Sequence, residues 1–262
     1  MDKGVSCAAC CGLYNVPDPS REGLESLLTR RSEAFAGVPR EIWAIDEFGR
    51  LESERTEAGG IPLAGFHHCP YIGLIGDGQD HPGCLLHPLA EGNAGVDYRG
   101  LSHYGSMTCN MYFCPTHHRV PADIKTALRD AADDWYGFGL MAPDADLIEA
   151  LFFGERHHGA ENPSFLVKAQ NRDAWRRLLS LKTDWPYARP GRPLASYFFN
   201  DGLNPKPAVD YSLTGRTGSC YDAVFRELHS VFSSHGDLAA AETIIADLKE
   251  ELLETPTDLS LP

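Results

Sequence analysis

The stretch Cys7-Ala8-Ala9-Cys10-Cys11-Gly12 sets the interpretation of the whole sequence. Three thiols this close together do not suit a core strand or helix, where a single cysteine serves as a small apolar side chain. Successive side chains diverge, so we expect Cys10 and Cys11 to bind different metal ions, to belong to different sites, or to act as one ligand and one spare. The stretch therefore indicates metal binding or redox chemistry rather than packing.

The remaining cysteines extend this pattern over the first part of the chain. Of eight cysteines in 262 residues, seven precede residue 115: Cys7, Cys10, Cys11, Cys69, Cys84, Cys109 and Cys114. A chain of this length does not need disulfides to fold, and no export signal is evident at its start. We therefore expect the reducing cytoplasm, where clustered thiols bind metal. Cys220 stands apart and is expected to be a small buried residue.

Thiolate ligands restrict the choice of metal. Soft sulfur donors select zinc or an iron-sulfur cluster over magnesium or calcium, and seven cysteines exceed the four that either centre needs. We therefore predict an iron-sulfur cluster or zinc, with all seven cysteines as candidate ligands. If one thiol is spare, His81, His87 and His103 are the expected nitrogen ligands. No catalytic residue can be assigned from the sequence.

The cysteine spacing resembles that of a known family. After the Cys7–Gly12 stretch come Cys69-Pro70-Tyr71, Cys84-Leu85-Leu86 and Cys109-Asn-Met-Tyr-Phe-Cys114. This order resembles the YkgJ-type cysteine-cluster family of zinc- or iron-chelating domains, and more distantly the cysteine-cluster part of flagellin lysine N-methylases.

The resemblance implies a metal centre built from these cysteines, with an iron-sulfur centre as one option. It covers roughly residues 5 to 116 and does not extend into the C-terminal half. Two positions depart from the family pattern: His87-Pro88 stands where an Arg-Pro pair is usual, and Asn110 replaces the arginine that usually follows the first closing cysteine.

The predicted fold is mainly α, with an irregular Cys/Gly-rich metal-binding N-terminal region packed on a helical C-terminal part. Eleven glycines between residues 59 and 105 indicate a long loop region that metal coordination would hold together. Periodic apolar residues predict helices after Asp18-Pro19, over 121–135, 143–153 and 237–254, and around Trp175 and Val224. Strand signals are thin, at 41–45 and 196–199. We divide the chain into a cysteine-rich metal-binding region, 1–118, and a helical region, 119–262, and leave open whether the two share one core.

Charge and missing motifs narrow the function. A net charge of −14 repels phosphate backbones and anionic lipid, so we expect neither a nucleic-acid nor a membrane partner. Walker A, dinucleotide-binding, zincin and hydrolase motifs are absent. The sequence predicts a cysteine-ligated centre, an iron-sulfur cluster in a redox or modifying enzyme that acts on an unknown small molecule or protein. The alternative is a zinc-stabilised, non-enzymatic protein-interaction module, so whether the protein is an enzyme stays open.

Overall fold

The computed structural model describes residues 5–63, 65–76, 78–154, 166–195 and 206–254, and the chain is mainly α-helical, as the periodicity predicts. The helices of this described part are α1 (Arg21–Ala36), α2 (Ile42–Glu57), α3 (Gly105–Met111), α4 (Pro115–Arg119), α5 (Ala122–Ala131), α6 (Trp135–Met141), α7 (Ala145–Phe152), α8 (Arg172–Asp184), α9 (Asp222–Glu227) and α10 (His235–Leu252). Its strands are β1 (Ile72–Ile75), β2 (His81–Cys84), β3 (Leu166–Val167) and β4 (Leu253–Glu254), and short 3-10 turns span Ala9–Cys11 and Arg99–Leu101.

Helix α1 begins later than the sequence predicts. Asp18-Pro19 suggested the cap, but Ser20 is the cap residue, and its hydroxyl accepts a hydrogen bond from the Gly23 amide at 3.1 Å. The Asp18 carboxylate instead accepts from the Ser20 amide. Serine and aspartate cap helices about equally well, so the capping preference alone does not tell which of the two residues caps α1.

Helix α2 replaces the weak strand signal at 41–45. The first part of its buried face is apolar and carries Ile45 and Phe48, but Gly49, Glu52 and Thr56 follow on the same face. The apolar stripe that marks a helix in a sequence is therefore interrupted. Gly49 is needed there because a Cβ atom would lie 2.0 Å from the Tyr71 hydroxyl.

The glycine-rich region contains a short β-hairpin. Strands β1 and β2 pair antiparallel with Ile72 opposite Cys84, and β1 packs on α1. The Ser32 hydroxyl on α1 accepts from the Leu74 amide at 2.6 Å and donates to the Leu74 carbonyl at 3.1 Å. The sequence indicated only loop here, since Pro82 and Gly83 are poor strand residues.

The later helices match the predicted segments, with shorter bounds for α5 and α7, whereas α10 begins and ends two residues earlier than predicted. The segment at 121–135 divides because Ala132 is extended, so α5 ends at Ala131 and α6 starts at Trp135. α7, α8, α9 and α10 account for the other periodic segments, and α10 contacts α7 and α8. The strand signal at 196–199 lies outside the described residues.

The chain divides into two compact units. Unit 1 consists of Met1–Cys114 and Asp134–Gly139, and unit 2 of Pro115–Asp133 and Leu140–Pro262. Unit 1 is built around α1, α2 and the hairpin, and unit 2 around α5, α7, α8 and α10. No helix in the described part of the chain is long and apolar enough to cross a membrane.

Candidate metal centre

The Cys7–Gly12 stretch lies directly against the segment that precedes Cys69. The Cys69 amide donates to the Cys11 carbonyl at 2.7 Å. Gly12 has φ +73°, and a Cβ atom on it would lie 2.3 Å from the His67 carbonyl oxygen. Only glycine permits both this backbone conformation and this approach, so Gly12 brings two cysteine segments together.

Four thiols on four segments form a first group. Burial and the neighbouring thiols Cys84 and Cys109 raise the pKa of Cys69 to about 12, although the Tyr71 amide and Arg31 oppose the rise. Burial raises the pKa of Cys84 to about 11, with Cys109 adding to the rise. The fourth member is Cys11, which lies near Cys69 and Cys84.

A second group adjoins the first. Burial raises the pKa of Cys7 to about 11, and the charges of Cys10 and Cys114 add to that effect. The contact between Cys10 and Cys11 connects the two groups, because the Cys11 thiol donates a hydrogen bond to the Cys10 sulfur. This hydrogen bond lowers the pKa of Cys10 to about 7 and raises the pKa of Cys11 well above its usual range. The adjacent thiols are thus in contact with each other, although the sequence analysis expected their side chains to diverge.

All seven predicted cysteines therefore lie in one neighbourhood of unit 1, and none forms a disulfide. Within the described residues, however, no set of three or more His, Cys, Asp or Glu side chains is arranged to hold one metal ion. The thiols are neighbours without a shared coordination point. Cys220 lies in unit 2 and is exposed, so the prediction that it is buried was wrong. It follows an irregular segment and precedes α9, which leaves its side chain outside the core.

The three histidines proposed as nitrogen ligands have other neighbours. His81 Nδ1 lies 2.6 Å from an Asp80 carboxylate oxygen, and His87 Nδ1 accepts from the Leu89 amide at 3.1 Å. His103 stacks on His67 with ring centroids 4.0 Å apart. Two of the three lie near thiols. Tyr104, the residue after His103, interacts with Cys10, Cys11, Cys69 and Cys109, and the His87 amide donates to the Cys84 thiol.

His67 and His68 are candidate donors that the sequence analysis did not select. The Nε2 atoms of both imidazoles are buried without a hydrogen-bond partner, and His68 is 1% exposed. Burial lowers the pKa of each to about 4, with His103 adding to the effect at His67 and Arg31 at His68. Their position directly before Cys69 was the available signal.

A buried arginine is the other group that the sequence analysis missed. Arg31 on α1 is 1% exposed and donates to the Cys69 carbonyl at 3.1 Å, to Thr56 Oγ1 at 3.0 Å and to Glu52 at 3.4 Å. Burial lowers its pKa to about 10, and the charges of Glu52 and Cys69 limit that fall. Glu52 and Thr56, which interrupt the apolar face of α2, are the hydrogen-bond partners of Arg31.

The donor set fits a soft metal centre in chemical type. It offers seven thiols, from the buried Cys69 to the exposed Cys109, and two buried imidazole nitrogens without a hydrogen-bond partner. Such donors are those of zinc and of iron-sulfur clusters. Because buried thiols with raised pKa values stay protonated at neutral pH, metal binding here would release protons.

Comparisons of this chain with protein-family models, with curated proteins and with solved structures find no match. The resemblance to the YkgJ-type family therefore depends on cysteine spacing alone and stays an expectation.

Proposed function

We propose that this protein binds metal through a cysteine-ligated centre, an iron-sulfur cluster, within a redox or modifying enzyme. The candidate ligands are Cys7, Cys10, Cys11, Cys69, Cys84, Cys109 and Cys114. The observation that carries the proposal is that thiols from segments more than a hundred residues apart are neighbours in one unit and form no disulfide. Thiols spread among separate parts of a core would not interact in this way.

The scarcity of regular secondary structure in part of unit 1 supports the proposal that a metal stabilises this unit. Between α2 and α3 the described residues carry only a two-stranded hairpin and a 3-10 turn, which bury few apolar side chains. Coordination would supply the folding free energy that this segment lacks, because ligand binding to the folded state stabilises it. The segment between α2 and α3 is thus proposed as an irregular, metal-stabilised region.

A bound cluster would supply electron transfer. The substrate is proposed to be a small molecule or a protein rather than nucleic acid, since the chain carries a net charge of −14. The free thiols favour a reducing compartment such as the cytoplasm. The resemblance to the YkgJ-type family, with its iron- or zinc-chelating domains, supports the same proposal.

A zinc-stabilised interaction module is the second candidate, and an exposed apolar surface beside the thiols favours it. Met107, Met111 and Phe113 are 76%, 70% and 55% exposed, and they flank Cys109 and Cys114. Large apolar side chains exposed together are typical of protein-binding surfaces. In this reading the metal is colourless and purely structural.

Three serine variants test the assignment of the ligands. Cys84→Ser and Cys109→Ser should each remove metal from the protein, because a hard, protonated hydroxyl does not replace a thiolate on a soft metal. Cys220→Ser is the matched control, because Cys220 is exposed in unit 2 and its loss should leave the metal content unchanged. Metal analysis after anaerobic purification is the measurement.

Full metal content in both Cys84→Ser and Cys109→Ser would contradict the assignment. Loss of metal from a folded Cys220→Ser protein would show that unit 2 contributes a ligand.

A further inference from the structure

A buried positive charge lies directly behind the candidate centre. Arg31 is almost fully excluded from solvent, and one of its guanidinium nitrogens donates to the Cys69 carbonyl at 3.1 Å. Thr56 and Glu52 hold the other nitrogens, so the group has a fixed orientation toward the Cys69 segment.

The network around Arg31 has an excess of positive charge. Arg30, Arg31 and Arg55 all pair with the single carboxylate of Glu52, which is 3% exposed. Arg99 is a further guanidinium beside Cys84 and Cys109, but Asp97 neutralises it one to one. Of this network only Arg31 and Glu52 are buried, so the Arg31 guanidinium is the cation that lies away from solvent behind the Cys69 segment.

Metal binding would place an anion near this cation. Four thiols that bound one Zn²⁺ would release four protons to solvent, so four neutral thiols and the ion would become a zinc tetrathiolate of charge −2. No electron is transferred in this step, and four sulfur-hydrogen bonds are replaced by four sulfur-zinc bonds.

We propose that Arg31 is a positioning residue that holds the Cys69 segment and stabilises the negative charge of the metal-loaded centre. This inference rests on the proposed function. The effect is expected from Arg31 rather than from Arg30 or Arg55, because their side chains are 35% and 61% exposed against 1% for Arg31. A charge in water is screened, whereas a buried charge acts through a low dielectric.

Two substitutions of opposite charge test the proposal. In Arg31→Met the centre loses its cation, and zinc affinity should fall about tenfold or more. In Glu52→Gln the arginines lose their counter-charge, and zinc affinity should rise by a similar factor. The measurement is anaerobic titration of the reduced, metal-free full-length protein with Zn²⁺ against a chelating competitor, at one pH and about 0.15 M salt.

Arg30→Met is the matched control. It removes the same charge from the same carboxylate partner at a more exposed position, so its zinc affinity should stay within about threefold of the original protein. Arg31→Lys should restore most of the affinity lost in Arg31→Met, since it keeps the charge.

The outcomes separate the two claims. Zinc binding by the original protein, with equal affinities in Arg31→Met and Glu52→Gln, would overturn the role of Arg31 and leave the metal site standing. A shift of both variants in the same direction would also overturn it, because loss of structure weakens binding whatever the sign of the charge. Should Arg31→Met fail to fold, tighter binding by Glu52→Gln supports the proposal and unchanged binding overturns it. If the original protein binds no Zn²⁺, there is no tetrathiolate for Arg31 to stabilise and the proposal is overturned, whereas the iron-sulfur centre is tested separately by the iron and sulfide content of the purified protein.

Discussion

Gly12 lies where two cysteine segments approach each other closely. Its positive φ ends the 3-10 turn Ala9–Cys11, and its missing side chain lets the His67 carbonyl pass at close range. The hydrogen bond between Cys11 and Cys69 depends on the same approach. The geometry of the candidate centre therefore depends on a residue that contributes no donor atom.

Gly12→Ala should destabilise the metal-free protein by about 2 to 5 kcal/mol, from the left-handed backbone and from the clash with His67 together. The metal content should fall with it, because Cys11 and Cys69 move apart. Denaturant unfolding and metal analysis measure the two effects.

Gly60→Ala is the control that measures the strain of the left-handed backbone conformation alone. Gly60 has φ +78° and no heavy atom within 4 Å of the added Cβ, so only the conformational strain of about 1 to 2 kcal/mol is expected. If the free energy of unfolding falls by the same amount in both alanine variants, the close approach of the His67 carbonyl to Gly12 does not contribute to stability.

His229 gives unit 2 a defined pH dependence. Burial lowers its pKa from 6.5 to about 4, and four nearby cations add to the shift: Arg192, Lys206, Lys182 and Arg189. Between pH 6.5 and 4 the unfolded chain binds a proton here that the folded chain does not bind. The contribution of His229 to stability is therefore complete above pH 6.5 and is lost as the pH falls toward 4.

His229→Asn should remove this contribution, so the stability of the variant relative to the original protein should rise as the pH is lowered from 6.5 to 4. Asparagine tolerates the positive φ of this position (51°) better than most residues do. Denaturant unfolding of both proteins across this range measures the difference. A difference that does not change with pH would contradict the shift.

The candidate ligands could be predicted from the sequence because thiols are rare and their clustering has few explanations. Arg31 could not, since a burial of 1% depends on Glu52 and Thr56, which lie on another helix. The sequence alone did not identify His67 and His68 as candidate donors either. Single histidines are common in polar loops, and an unpartnered buried nitrogen is visible only once the surroundings are known.

At the scale of elements, prediction succeeded where the buried face of a helix is mostly apolar, even though α8 also buries Lys182. α8 and α10 bury Leu178 and Ile245 in regular stripes, and the sequence located both helices. α2 was missed because half of its buried face is polar or glycine. The β1–β2 hairpin was missed because its pairing is stabilised by Ser32, far away in sequence, rather than by strand-forming residues.

Removal of the metal should affect these elements unequally. Chelation, or oxidation of a cluster, should reduce hydrogen-exchange protection over residues 59–118 far more than in α8 and α10. The long segment between α2 and α3 buries little apolar surface, whereas α8 and α10 belong to a continuous core. Equal protection of residues 59–118 with and without metal would contradict a stabilising role for coordination.

At the scale of the whole molecule, the thiols are unevenly distributed, whereas both units bury apolar side chains. Unit 1 contains all seven clustered cysteines, and unit 2 contains the exposed Cys220 together with α8 and α10. We propose that the segment between α2 and α3 is the part of unit 1 that depends on metal, because α1 and α2 already pack through apolar side chains. The mainly helical class was predictable from periodicity, whereas the bounds of the units depend on contacts between distant segments.

The metal content and visible spectrum of the full-length protein, purified without oxygen, test the central claim most directly. The account predicts iron with acid-labile sulfide and a broad absorption band near about 400 nm, and the same protein with Cys84→Ser should be colourless. A colourless protein with stoichiometric zinc would select the second candidate function. A folded protein that contains neither iron nor zinc, with its seven N-terminal thiols free to react, would contradict the account.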